Sequence, residues 1–138
     1  MAKLLLITHD DVLARAYRTH LARAGFEVEQ VTTGHDGLLR ARQWIPDLIV
    51  LDLLLPGMHG LDVLKWLRDV PWLVPVHVIL LIERTIARDV LDECLLWGAG
   101  SYLYKDASTP QDLLEHLRHV LNARSSAAGA LPEPTSPS

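Results

Sequence analysis

The chain has 138 residues, 49% of them apolar and 22% charged, with a formal charge of −4 and a pI near 5.9. That length predicts one domain with a hydrophobic core of its own, and the apolar content excludes disorder over most of it. The mildly acidic balance argues against direct nucleic-acid binding, and the single cysteine, Cys94, excludes an internal disulfide and a thiolate zinc cage. No run reaches the ~18 apolar residues of a membrane span. Lys3 is followed by only a short apolar run, too short for a signal-peptide core, so the expectation is a cytoplasmic protein without a membrane partner.

In chain order, residues 4–7 form a continuous apolar run, the pattern of a strand covered on both faces. Val12, Leu13, Ala16, Tyr17, His20, Leu21 and Ala24 follow at helical spacing and stop at Gly25. Residues 26–31 alternate as a second strand, and Glu27 and Glu29 mark it as an edge. Thr33 with Asp36 opens a helix that closes at Trp44, before Pro46. Residues 48–51 give the strongest strand signal and end at Asp52. Pro56-Gly57 marks a loop, and a helix carrying Leu61, Leu64 and Leu67 follows. Residues 76–82 read as a fourth strand, 84–97 as a helix ending at Gly98, and 101–104 as a short fifth strand. Thr109-Pro110-Gln111-Asp112 starts a last helix, with Thr at the N-cap, Pro at the first position and an acid at the third. Its buried stripe is Leu113, Leu114, Leu117, Val120 and Leu121. The chain thus divides into a folded unit, 1–121, and an Ala/Ser/Pro-rich tail, 122–138, expected to be disordered.

Five strand–helix units in alternation predict an α/β fold: a doubly wound parallel sheet with helices on both faces. Such sheets carry their chemistry outside the carboxyl ends of the strands. Four of those ends hold Thr8-His9-Asp10-Asp11, Asp52, Ile82-Glu83 and Lys105-Asp106. No glycine-rich phosphate loop follows the first strand, which weighs against a nucleotide-binding enzyme.

Three motifs then carry a resemblance: Asp47-Leu48-Ile49-Val50-Leu51-Asp52; Leu55-Pro56-Gly57-Met58 with Gly60-Leu61; and Gly98-Ala99-Gly100-Ser101-Tyr102-Leu103-Tyr104-Lys105. In this order and spacing the chain resembles the receiver domains of two-component response regulators, over residues 3–121. The resemblance implies a flavodoxin-like (βα)5 fold with strand order 2-1-3-4-5. It implies that Asp52 is the phosphoacceptor, that Lys105 contacts the phosphoryl oxygens, and that Tyr102 is the aromatic whose orientation reports activation. It also implies Mg2+, held by Asp52, by the Leu54 backbone carbonyl and by an acidic residue after the first strand. The implied partners are a histidine kinase or phosphotransfer protein and an output protein, with pairing of two copies through the face of the fourth and fifth helices. A signalling domain of this kind is not an enzyme beyond taking up and losing its own phosphoryl group.

Two departures from that pattern stand out. The family's acidic pair falls here on Thr8 and His9, with Asp10 one residue late, where capping the first helix is the expected role. The family's Thr or Ser at the end of the fourth strand falls on Ile82, or on Glu83 if the loop is one residue shorter. Isoleucine offers no donor, and glutamate repels a phosphoryl dianion. Weakened magnesium affinity follows, as does a second reading: a phosphorylation-independent pseudo-receiver serving as a protein-interaction module. A protonated His9 near Asp52 would supply positive charge without metal, but a partly exposed loop histidine is the expected reading. His116 and His119 are read as a solvated face, and the tryptophans as packing residues, with Trp72 the one candidate for an exposed contact.

Overall fold

The computed structural model describes residues 1–129. Apolar runs become strands and amphipathic stretches become helices in the order β1 (Lys3–Ile7), α1 (Asp11–Arg23), β2 (Glu27–Val31), α2 (Gly34–Trp44), β3 (Leu48–Asp52), α3 (Gly60–Arg68), β4 (His77–Ile82), α4 (Arg88–Leu96), β5 (Ser101–Tyr104) and α5 (Pro110–Gly129). Short 3-10 turns span Pro71–Leu73 and Lys105–Ala107. All four strand pairings are parallel, and the sheet order is β2-β1-β3-β4-β5, a flavodoxin-like arrangement.

Successive strand residues face opposite sides, which splits the core in two. Leu5, Ile7, Ile49, Leu51, Val78, Leu80 and Ile82 pack under α2, α3 and α4 with Val63, Leu64, Leu67, Leu91 and Cys94. Leu4, Leu6, Leu48, Val50, Ile79 and Leu81 pack under α1 and α5 with Tyr17, Leu21, Leu113 and Leu117. Each such aliphatic side chain contributes about 1.5–3 kcal/mol on burial. β3, with all five residues buried, is the central strand that both layers hold.

Helix starts follow their side-chain caps. Asp10 Oδ1 accepts from the Leu13 N–H at 3.0 Å and Thr33 Oγ1 from the Asp36 N–H at 3.1 Å. At α5 the box is reciprocal: Thr109 Oγ1 accepts from Asp112 N–H at 3.1 Å, and Asp112 returns the bond to Thr109 N–H at 3.0 Å. A different device holds the far end of α3. The Arg68 guanidinium donates to the carbonyls of Leu73, Val74, Val76, Trp97 and Gly98, at 2.7–3.3 Å, tying α3 to the approach to β4 and to the end of α4. Burial lowers its pKa. Cys94 is fully buried, and burial together with the nearby Glu93 raises its thiol pKa.

Three boundaries or placements differ from the sequence reading. α4 starts at Arg88, because residues 84–87 turn away first, with Ile86 N–H on the Glu83 carbonyl at 3.1 Å. α5 continues past residue 121 to Gly129, since alanines propagate a helix without needing a buried face; residues 130–138, the rest of the expected tail, lie outside the described residues. Trp66, Trp72 and Trp97 are exposed rather than packed inside, with Lys65 lying over the Trp97 ring; for Trp72 exposure was the alternative to packing.

Candidate functional site at the carboxyl ends of the strands

β3 delivers Asp52 to the rim where β1, β4 and β5 also end. Its partner on β4 is Leu81, and the last β4–β5 pair is Ile82 with Tyr104. One step beyond that pair, Glu83 and Lys105 leave the sheet side by side. The loop after β3 turns at Gly57, whose φ of +77° suits glycine. It returns at Gly60, where an added Cβ would lie 2.6 Å from the Leu53 Cα. Only glycine permits that approach, and the Gly60 N–H donates to the Leu53 carbonyl at 3.0 Å. This closure leaves the Leu54 N–H aimed at Asp52.

Asp52 is 1% exposed, and both its oxygens are engaged. Oδ1 accepts from the Leu54 N–H at 2.9 Å. Oδ2 accepts from the Thr8 hydroxyl at 2.8 Å and meets the Lys105 ammonium at 2.9 Å. A carboxylate buried to this degree needs such partners, since desolvating an unpaired charge costs several kcal/mol. Lys105 also faces Glu83 Oε2 at 3.6 Å and Asp10 Oδ2 at 3.9 Å. Burial alone depresses the lysine, but the hydrogen bond and charge of Asp52, helped by Glu83 and Asp10, outweigh it and raise its pKa.

The structure thus brings Asp52, Lys105, Thr8 and Asp10 together. Asp10 does two things at once: Oδ1 caps α1, as expected, while Oδ2 turns to Lys105. Ile82 goes elsewhere, into the core under α3 and α4, and Glu83 takes the place beside Lys105. Tyr102 stands partly exposed on β5, its ring edge-on to Tyr104 with centroids 6.0 Å apart. His9 is exposed, and among the described residues no hydrogen bond or ion pair joins it to Asp52. His116 is not a solvated side chain: its Nε2 lies 2.7 Å from the Ser101 hydroxyl, which also meets His77 at 3.0 Å, at the opposite end of β5 from Lys105. The direct bond from Thr8 to Asp52 escaped the sequence reading, as did Gln30, whose amide donates to the Thr8 carbonyl and to Asp11, each at 3.2 Å.

The donors near Asp52 are oxygens, the chemistry that magnesium requires. Asp52 and Asp10 supply two carboxylates. Among the described residues no group of three His, Cys, Asp or Glu side chains is arranged to hold a metal.

The comparisons with known proteins agree with this 2-1-3-4-5 parallel fold. Residues 4–118 match the family described as response regulator receiver domain. The chain belongs to that family. It is 40% identical over 105 residues to the transcriptional regulatory protein AfsQ1 of Streptomyces coelicolor, covering 76% of this chain and 45% of that protein. It is 31% identical over 112 residues to the polar-differentiation response regulator DivK of Brucella ovis, covering 80% of this chain and 90% of DivK. Among solved structures, the chemotaxis response regulator CheY4 of Vibrio cholerae superposes with a TM-score of 0.80 at 28% identity, covering 87% of this chain and 98% of CheY4. The chain spans about half the length of the transcriptional regulators it matches, such as AfsQ1, and nearly all of DivK. Receiver domains are signalling units of two-component systems. They generally use Mg2+ for phosphorylation, and response regulators interact with histidine kinases and output domains. No helix among the described residues is long and apolar enough to cross a membrane.

Proposed function

We propose that this receiver accepts a phosphoryl group on Asp52 and signals through the face formed by α4, β5 and α5. The observation that carries the reading is the 2.9 Å contact between Asp52 Oδ2 and the Lys105 ammonium. An Asp52 oxygen bonds to phosphorus while the phosphorus–nitrogen bond of a donor phosphohistidine breaks, and the imidazole leaves with a proton from solvent. Charge gathers on the phosphoryl oxygens during transfer, and a positioned ammonium stabilises it. The Leu54 N–H keeps the other carboxylate oxygen in place. Asp52, Asp10 and the Leu54 carbonyl would hold Mg2+, which supplies further charge neutralisation when bound. Tyr102, exposed on β5 three residues before Lys105, is the residue that conveys the change to a partner. The donor is a histidine kinase or phosphotransfer protein, the receiver of the signal is an output protein, and the setting is the cytoplasm. Pairing of two copies through the same face belongs to this reading.

Intact mass spectrometry after incubation with acetyl phosphate and Mg2+ tests it. A gain of about 80 Da, one phosphoryl group, that is absent in Asp52→Asn supports the reading. No gain at any Mg2+ concentration, together with no response to beryllofluoride, overturns it. One observation favours the second reading, a pseudo-receiver: the Thr8 hydroxyl already satisfies the Asp52 oxygen that Lys105 holds, in a position where the family carries an acid.

A further inference from the structure

Lys105 is the cation on which the proposed chemistry depends, and it is shared. Its ammonium lies 2.9 Å from Asp52, 3.6 Å from Glu83 and 3.9 Å from Asp10, so three formal negative charges surround one positive charge. The second partner is special in its placement. β4 and β5 pair in register up to Ile82 and Tyr104, so Glu83 and Lys105 are the next residues on adjacent strands and emerge together. The Glu83 backbone is anchored there, because its carbonyl closes the following turn with the Ile86 N–H. Glu83 also lines a hollow of about 190 Å³ with Leu53, Leu54, His59 and Thr85.

We propose that Glu83 is an internal competitor for the Lys105 ammonium, and that it restrains the uptake of a phosphoryl group at Asp52. This deepens the reading of Asp52 as phosphoacceptor and rests on it. When Asp52 gains a phosphoryl group, the local negative charge rises. Lys105 must then serve the new oxygens while Glu83 both holds part of its charge and repels the same group. Like charges a few ångströms apart, partly screened by water, oppose each other by roughly the equivalent of tenfold in a rate or equilibrium constant. Asp10 acts differently, since its other oxygen is committed to the α1 cap and its distance from the ammonium is the longest of the three.

The experiment uses the full chain and the variants Glu83→Gln, Glu83→Thr, Asp52→Asn, Lys105→Met and the double variant Glu83→Gln with Lys105→Met. Two readouts are taken: the rate of phosphoryl adduct formation with acetyl phosphate and Mg2+, and the coupling between Glu83 and Lys105 from a double-mutant cycle of urea unfolding without any donor. The expected result is about tenfold faster adduct formation in both Glu83 variants, with no adduct in Asp52→Asn, and a loss of stability in the double variant that differs from the sum of the singles. Rates within twofold of wild type in both Glu83 variants overturn the proposal, as do additive losses in the cycle. If no protein forms an adduct, the Asp52 reading fails, and the cycle alone then judges whether Glu83 holds the ammonium.

Discussion

The Tyr17 hydroxyl donates to the Ser108 carbonyl at 2.8 Å, joining α1 to the segment that runs from Lys105 into α5. Burial, reinforced by the charges of Asp112 and Asp10, pushes this phenol up to about 12. Its folded pKa therefore lies above the unfolded value of about 10. The neutral hydroxyl's contribution to stability is complete below pH ~10 and is lost as pH rises from there through ~12. Tyr17→Phe is expected to cost about 1 kcal/mol at pH 8 and to flatten the decline between pH ~10 and ~12. Urea unfolding of both proteins at the two ends of that range checks it.

Removing Lys105 strands Asp52, whereas Lys105 without Asp52 still faces Glu83 and Asp10. Lys105→Met leaves a carboxylate that is 1% exposed with only the Thr8 hydroxyl and the Leu54 N–H, at a cost of about 3 kcal/mol. Asp52→Asn removes the charge that Lys105 answers. The double variant is expected to lose less than the sum of the singles, because no unpaired buried charge remains. A double-mutant cycle by denaturant unfolding measures the coupling; additive losses would contradict it. The raised Lys105 pKa adds a pH signature. The pair's stabilisation is complete below the unfolded lysine value near 10.4 and fades as pH rises through the higher folded value, so wild type and Lys105→Met converge at strongly alkaline pH.

Thr8→Asp places a second carboxylate against Asp52, where a hydroxyl now donates at 2.8 Å. Two like charges that close destabilise one another unless a cation lies between them. The variant is expected to melt below wild type in chelator and to gain far more from Mg2+. A gain of about 2.7 kcal/mol is expected at an Mg2+ concentration a hundredfold above its Kd. Differential scanning fluorimetry across a magnesium series reads the two slopes.

The five carbonyls gathered by Arg68 make it a poor site for a conservative exchange. Lysine carries the charge, but an ammonium lacks the planar fork that serves both Trp97–Gly98 and Leu73–Val76. Arg68→Lys is expected to cost about 1 kcal/mol and Arg68→Ala about 2 kcal/mol, since exposed and part-buried carbonyls lose charged donors. Hydrogen exchange should show the loss concentrated at the end of α4 and the turn before β4. A lysine variant as stable as wild type would refute the account.

The sheet was legible in the sequence because its apolar runs are short, unbroken and separated by turn residues. Residues 48–51 and 76–82 announce central strands, and Glu27 and Glu29 announce an edge. The boundaries read less well where no cap marks them: α4 has no side-chain cap at Ala87, so nothing in the sequence located its start. At the site, Asp52 and Lys105 were visible as charges directly following apolar runs. The ambiguity between Ile82 and Glu83 was one of register, which strand pairing settles and a single strand's pattern does not. Had residue 82 been aligned to Tyr104, Glu83 would have fallen beside Lys105. The Thr8–Asp52 bond was hidden because threonine after a strand carries no chemical signature of its own. His116 was misplaced because its partner, Ser101, begins a different element.

Cys94, the sole thiol, lies sealed against the sheet beneath α4. Alkylating reagents need a solvent-exposed thiolate, and burial denies them both exposure and ionisation. Labelling therefore waits until this layer swings open, so its rate is a clock for the loosening of one particular helix. The molecule supplies that reporter without any engineered tag, at a single position whose modification an intact mass measurement resolves.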